Sequence, residues 1–165
     1  MDFPLLSERL LLRPFEPDDA PAAHRVYSDP SVMRWVGAGP VLRPQQTEAM
    51  LAGYINHQRR YGFSFWAVIE RASGELIGDA GLYMRVGQAE LGYTLAQDRW
   101  GQGYGTEAAG LCVREAFGTL KLPQLEALVR PENPASAAVV RKLGFEDHGR
   151  VIVHGSPHIL FRRFA

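Results

Sequence analysis

Arg99-Trp100-Gly101-Gln102-Gly103-Tyr104-Gly105-Thr106-Glu107-Ala108-Ala109 is the stretch on which the reading of this chain turns. Its three glycines at alternate positions allow a sharp turn and a close approach of backbone to a ligand, and residues 106–117 continue with a helical apolar rhythm. A glycine-rich turn that feeds a helix aims several unpaired N–H groups at one spot. Phosphate is the natural occupant, because the helix dipole adds about 0.3–1 kcal/mol for a surface anion and up to about 2 in a sheltered geometry. A pyrophosphate cradle is the functional reading, and a strand-to-helix turn with glycines for close packing is the structural one.

Working outward, the chain has 165 residues, enough for one domain over 1–165 that buries about 70 % of the surface its unfolded form exposes. Lys plus Arg and Asp plus Glu both number 18, so no broad field favours nucleic acid or an anionic membrane. The single cysteine, Cys112, falls in the apolar helix after the glycines and reads as a small core residue. It allows no internal disulfide, so a reduced, cytoplasmic setting is expected. Asp2, Glu8 and Arg9 interrupt the amino terminus, and no apolar run reaches the roughly 18 residues of a membrane span. His24, His57, His148, His154 and His158 have no metal-ligand spacing, so no metal is expected.

Alternation predicts strands over 8–15, 63–70, 76–83, 89–95, 125–130, 146–153 and 158–164, the last two separated by Gly155-Ser156-Pro157. Helical spacing appears over 18–28, closed by Asp29-Pro30, over 45–60, over 106–117 and over 133–143, where Asn133 is the cap and Gly144 the stop. The fold class is therefore mixed α/β: about seven mostly antiparallel strands and about four helices, a meander followed by a strand-helix-strand crossover. The loop over 33–43 carries Trp35, a residue suited to a substrate mouth.

The cradle has rival nucleotide readings. A Walker loop requires Gly-Lys-Ser/Thr, which is absent. Gly103-x-Gly105-x-x-Ala108 satisfies the dinucleotide fingerprint, with Glu126 about 20 residues on, and nicotinamide-dependent oxidoreduction is the reading that follows. Position argues against it: the loop lies past mid-chain, and too few residues follow it to build two β-α-β-α-β halves.

A second segment carries more weight: Asn133-Pro134-Ala135-Ser136-Ala137-Ala138-Val139-Val140-Arg141-Lys142-Leu143-Gly144-Phe145. Together with residues 100–108 and Glu8-Arg9-Leu10-Leu11-Leu12-Arg13-Pro14, it resembles the GNAT superfamily of acetyl-CoA-dependent N-acetyltransferases, in its RimJ/RimL-like branch. The resemblance covers nearly the whole chain. It implies a GNAT fold in which the fourth and fifth predicted strands splay, with acetyl-CoA in the gap. Thr94 and Leu95 would then hold the pantetheine arm by backbone bonds, and glycine-lined N–H groups on the same strand would polarise the thioester. Trp100, Gly101, Gln102, Gly103, Tyr104, Gly105 and Thr106 would cradle the pyrophosphate. Asn133 would bond the arm near the thioester, and Ser136 would sit by the sulfur.

One departure bears on mechanism. Many branches place a tyrosine four residues before the helix-ending glycine to protonate the departing thiolate, and this chain has Val140 there. Ser136 is the substitute, since a thiol with pKa near about 8.5 needs a hydrogen bond more than full proton transfer. The amine's proton requires a carboxylate or a water chain; Glu90 is the first choice and Asp79 the second. Side by side with these roles stand the plainer ones: a cap for Asn133, a first-turn residue for Ser136 and a solvent-facing charge for Glu90. Trp35, Trp66, Tyr83 and His158 are candidates to line the acceptor mouth, with Tyr54 near them. The resemblance implies a primary amine as acceptor, either a protein N-terminal α-amine or a small molecule. A non-catalytic acyl-CoA-binding domain is the alternative, and a homodimer is compatible with the sequence.

Overall fold

The computed structural model describes all 165 residues. Along the chain run β1 (Leu5–Leu6), β2 (Leu10–Pro14), α1 (Ala20–Tyr27), α2 (Pro30–Met33), α3 (Pro44–Tyr61), β3 (Phe65–Glu70), β4 (Leu76–Arg85) and β5 (Gln88–Leu95). After these come α4 (Tyr104–Gly118), β6 (Gln124–Val129), α5 (Pro134–Lys142), β7 (Glu146–Val153) and β8 (Ser156–Phe164). Two short elements, β1 and α2, lie beyond the expected seven strands and four helices. Asp29-Pro30 explains α2: the dipeptide ends α1, and it also opens a new turn, because Asp29 Oδ1 accepts from the Ser31 N–H at 2.8 Å and proline suits the first helical position. The last hairpin turns at His154 and Gly155, both with positive φ, so Ser156 and Pro157 belong to β8.

All eight strands form one sheet in the order β1-β2-β3-β4-β5-β6-β8-β7, antiparallel everywhere except between β5 and β6. The two faces are buried differently, as the period-2 alternation requires. One face packs Leu10, Leu12, Trp66, Leu82, Leu91, Leu125 and Phe161 with α4 residues such as Ala109 and Cys112. The other packs Ala67 beneath Ala23, Tyr27 and Leu51 of α1 and α3. At about 1.5–3 kcal/mol for each fully buried large apolar side chain, both faces are needed to order a sheet of this width. Cys112 is a core residue, its thiol pushed far up by burial while it donates to the Ala108 carbonyl.

The sheet is not continuous at its centre. β4 and β5 pair from Arg85↔Gln88 to Gly78↔Leu95, but β5 meets β6 at the single register pair Glu90↔Glu126. Beyond that pair the strands part, and their carboxyl ends enclose a V.

Candidate active site

The wall of the V is set by backbone parity. Ala96 N–H bonds the Ile77 carbonyl, so in the β4/β5 ladder Thr94, Gly92 and Glu90 exchange main-chain bonds with β4, while Leu91, Tyr93 and Leu95 direct theirs toward β6. This corrects the expectation for Thr94, whose main chain is already committed to Asp79 across the ladder. The Gly92 N–H is committed in the same way. Tyr93 and the Leu95 N–H border the opening, and the Leu95 carbonyl accepts from Trp100 Nε1 at 2.9 Å, so the half-exposed indole ties the end of β5 to the loop that follows.

That loop delivers the amino terminus of α4. Gly103 is its cap at φ 84°, a left-handed conformation, and a Cβ there would stand 3.3 Å from Arg9 Nη2. The first bond into the helix is Glu107 N–H to the Gly103 carbonyl, which leaves the N–H groups of Tyr104, Gly105 and Thr106 without helical acceptors. Glu107 would repel an anion, but Arg9 answers it: Arg9 Nε and Nη2 lie 2.7 and 2.6 Å from Oε2, and the Arg9 N–H and the Ser7 hydroxyl both donate to Oε1. Burial opposes the charge, yet these donors hold the Glu107 carboxyl below its ordinary range. Arg9 also donates to the Gln102 carbonyl at 2.8 Å and lies over the Tyr104 ring, while the Tyr104 hydroxyl donates to Glu70. Hydrogen bonds from Ser73 and Tyr104, with Arg99 alongside, keep Glu70 well below the usual carboxylate range. The start of α4 is thus fastened by Ser7 and Arg9, just ahead of β2, and by Glu70 of β3.

Opposite, α5 begins at Asn133, whose Oδ1 accepts from the Ser136 N–H at 3.1 Å. The Ser136 hydroxyl meets the Tyr93 hydroxyl at 2.8 Å, across the mouth of the V.

On the α1–α3 face, Glu90 stands at the crotch of the V beside Glu126, with Arg85 Nε 3.6 Å from Glu90 and Arg162 Nε 2.9 Å from Glu126. Burial raises the Glu90 pKa, Arg85 opposes the rise and Glu126 adds to it. Tyr83 pairs directly with Glu90, and its ring is stacked between His57 and Phe65. Trp35 lies under the guanidinium groups of Arg34 and Arg130, and His158 follows one residue outside the Val129↔Ile159 pair, at the level of Arg130. Asp79 is sealed inside, hydrogen-bonded by the Tyr27 hydroxyl, and burial lifts its carboxyl to about 7.

The family model described as "Acetyltransferase (GNAT) domain" matches residues 9–146. The chain belongs to the GNAT acetyltransferase family. Among relatives of this GNAT enzyme, the uncharacterized N-acetyltransferase p20 of Bacillus licheniformis is 31% identical over 148 residues, 88% of this chain and 83% of that protein. Spermidine N(1)-acetyltransferase of Escherichia coli K12 is 28% identical over 142 residues, 86% of this chain and 75% of its own. A GNAT-family acetyltransferase from Bacillus anthracis superposes with a TM-score of 0.87 at 25% identity, covering 98% of both chains. Mycobacterium smegmatis RimJ in complex with CoA-disulfide gives 0.78 at 25% identity, covering 94% of this chain and 82% of RimJ, in keeping with the RimJ/RimL-like branch.

The GNAT fold places Leu95 and Trp100 at the end of β5 and in the loop after it, Gly101, Gln102, Gly103, Tyr104, Gly105 and Thr106 at the start of α4, and Asn133 and Ser136 at the start of α5, with Glu90 at the one β5–β6 register pair. It separates two residues from them. Trp66 is fully buried on the α4 face, edge-on to Phe3 with its indole N–H on Gln58, and so is a core residue and no part of an acceptor mouth. Asp79 is likewise enclosed, beneath Tyr27. Tyr93, Arg9 and Glu126 were missed as site residues; Arg9 and Glu107 lie within stretches already singled out, and the charge pair between them was the available signal.

Proposed function

We propose that this acetyltransferase moves the acetyl group of acetyl-CoA directly onto a primary amine in a ternary complex, with residues 1–165 acting as one domain. The observation that carries the reading is the V between β5 and β6, bounded by the unpaired main-chain edge of β5 and the open amino terminus of α4. Pantetheine would add to that edge as a short strand on Tyr93 and Leu95. The diphosphate would lie against the N–H groups of residues 104–106, and Asn133 Nδ2 would donate to the arm. The Tyr93 N–H is the donor available to the thioester oxygen.

The acceptor would enter from the α1–α3 face past Trp35, Tyr83 and His158. Its nitrogen attacks the acetyl carbon, the C–N bond forms, and the C–S bond breaks with its electron pair on sulfur. Glu90 takes the amine proton, directly or through one water, and its raised pKa brings it closer to the neutral range where a base works best. The sulfur is met by the Ser136 hydroxyl. Keeping a lysine amine neutral at pH 7 costs about 4.6 kcal/mol, against about 1.1 for an α-amine, so an α-amine is the favoured acceptor. A polyamine, the acceptor named for the E. coli relative, is the small-molecule case to set beside it.

The test is CoA-thiol release from acetyl-CoA with a panel of N-terminal peptides, amino acids and polyamines, alongside calorimetry with CoA. Saturable release with one amine class, through intersecting initial-rate patterns, is expected. Parallel patterns would indicate an acyl-enzyme and overturn direct transfer, and heat on CoA binding without turnover on any amine would overturn the catalytic reading.

A further inference from the structure

Tyr93 is the residue of the V that nothing above employs through its side chain. Its main chain faces the opening, but its ring lies on the α4 face, against Gly105 of the cradle; a Cβ on Gly105 would touch the ring at 3.5 Å. The hydroxyl then reaches across to α5, 2.8 Å from Ser136 Oγ and 3.4 Å from the Ser136 carbonyl. These two residues are 43 apart in sequence and approach from the two sides of the splay. Burial raises the Tyr93 phenol's pKa and the Ser136 bond opposes the rise, so the group stays a protonated O–H donor throughout the neutral range.

A serine hydroxyl has one hydrogen to give and two lone pairs to receive with. Either oxygen can be the donor of this pair. If Ser136 gave its hydrogen to Tyr93, nothing would remain for the sulfur. If Tyr93 gives, the Ser136 oxygen is satisfied, its own O–H is free to turn, and its acidity rises because its oxygen is already polarised. The Ser136 carbonyl, 3.4 Å from the phenol oxygen, is the weaker alternative acceptor for the phenol hydrogen beside Oγ at 2.8 Å, and Asn133 Oδ1 engages only the Ser136 backbone N–H.

We infer that Tyr93 is a positioning residue for the leaving group: its phenol donates to Ser136 Oγ and thereby directs the Ser136 O–H to the coenzyme sulfur. The inference rests on the proposed role of Ser136 and deepens it. As the C–S bond breaks, the electron pair stays on sulfur and the chain orders as Tyr93 O–H to Ser136 O–H to S⁻. No proton needs to cross to tyrosinate. The proton lost by the amine leaves through Glu90, and the thiolate takes one from solvent as the coenzyme departs, so charge and atoms balance. Val140 at the usual tyrosine position then has a physical counterpart: a phenol placed on β5 works through a serine on α5.

Tyr93→Phe keeps the ring against Gly105 and removes only the O–H. The expected result is a fall in kcat of about ten-fold, the size of a weakened charge-assisted hydrogen bond, with the CoA dissociation constant within about two-fold of wild type. Ser136→Ala should fall at least as far, and the double variant should match Ser136→Ala alone, because the phenol then has nothing to direct. Multiplying effects, or a Tyr93→Phe kcat within two-fold of wild type while Ser136→Ala is impaired, would overturn the inference and leave the Ser136 role standing. Full activity in Ser136→Ala would overturn both together. Site-specific 3-fluorotyrosine at 93 covers the case in which Tyr93→Phe misfolds: a stronger donor should raise kcat or hold it, and lost activity in a folded, CoA-binding protein would count against the chain.

Discussion

Replacing Asp79 by Asn separates a buried structural carboxyl from a catalytic one, and its signature is a pH dependence of stability. Asp79 is enclosed on β4 with Tyr27 as its hydrogen-bond partner, and burial moves its pKa from the ordinary 3.8 to about 7 in the folded protein. The folded state therefore holds a proton that the unfolded chain has lost. Stability from this group is complete below about pH 4, falls as pH rises toward 7, and is flat above. A gap of about three units, at 1.36 kcal/mol each, amounts to about 4 kcal/mol, with a limiting slope of about 1.4 kcal/mol per pH unit. Asn carries no such term but can still accept from Tyr27. Urea unfolding of both proteins from pH 4.5 to 8 removes every shared titration from the difference. Wild type should lose ground to Asp79→Asn as pH rises, most steeply between 5 and 7. A pH-independent difference would refute the argument that this carboxyl is held neutral by burial. A collapse of turnover in a variant that folds and binds CoA would return Asp79 to the chemistry.

The other expectations follow from contacts already described. Glu90→Gln should lower kcat by about 10²-fold near neutral pH and remove the acid limb of the rate profile, which in wild type lies above the ordinary carboxylate value; an unchanged profile would take Glu90 out of the mechanism. Arg9→Ala removes the cation that balances Glu107 beside the cradle and frees the Gln102 carbonyl, so calorimetry should find CoA bound about ten-fold more weakly, a loss that equal affinity would disprove. Trp66→Ala should cost about 3–5 kcal/mol in denaturant unfolding, whereas Trp35→Ala should leave stability nearly intact and raise the acceptor KM; the reverse pattern would mean the two tryptophans have been assigned to the wrong roles. Gly78→Ala places a Cβ 2.0 Å from the Thr94 carbonyl oxygen, so the β4/β5 ladder must distort and unfolding should shift by several kcal/mol, about 2–4; wild-type stability would show that the strands can separate freely there.

Residues close together in the chain were the ones that could be read directly. The glycines of 101–105, the helix after them and the Asn133 cap act through local backbone geometry, so composition and spacing were enough to locate the glycine turn and the start of α5. Alternation likewise located β5 and put Glu90 on it. Whether a given residue of that strand turns its main chain to β4 or to the opening depends on which partner strand bonds it, and no local pattern carries that parity. The main-chain edge expected at Thr94 is consequently found at Tyr93, a residue to which the sequence reading assigns nothing. Trp66 is the same kind of case: an aromatic on an alternating strand is core or mouth according to which helices cover its face. The bonds between Tyr27 and Asp79 and between Tyr93 and Ser136 join residues 52 and 43 positions apart, and only the packed sheet brings them within reach. The sequence by itself determined the family, the elements and the glycine turn at the start of α4, because those depend on neighbours along the chain. Only the tertiary structure decided which backbone edge is open, which carboxyl is sealed and which hydroxyls meet, because burial and strand partnership arise between segments that the chain keeps far apart.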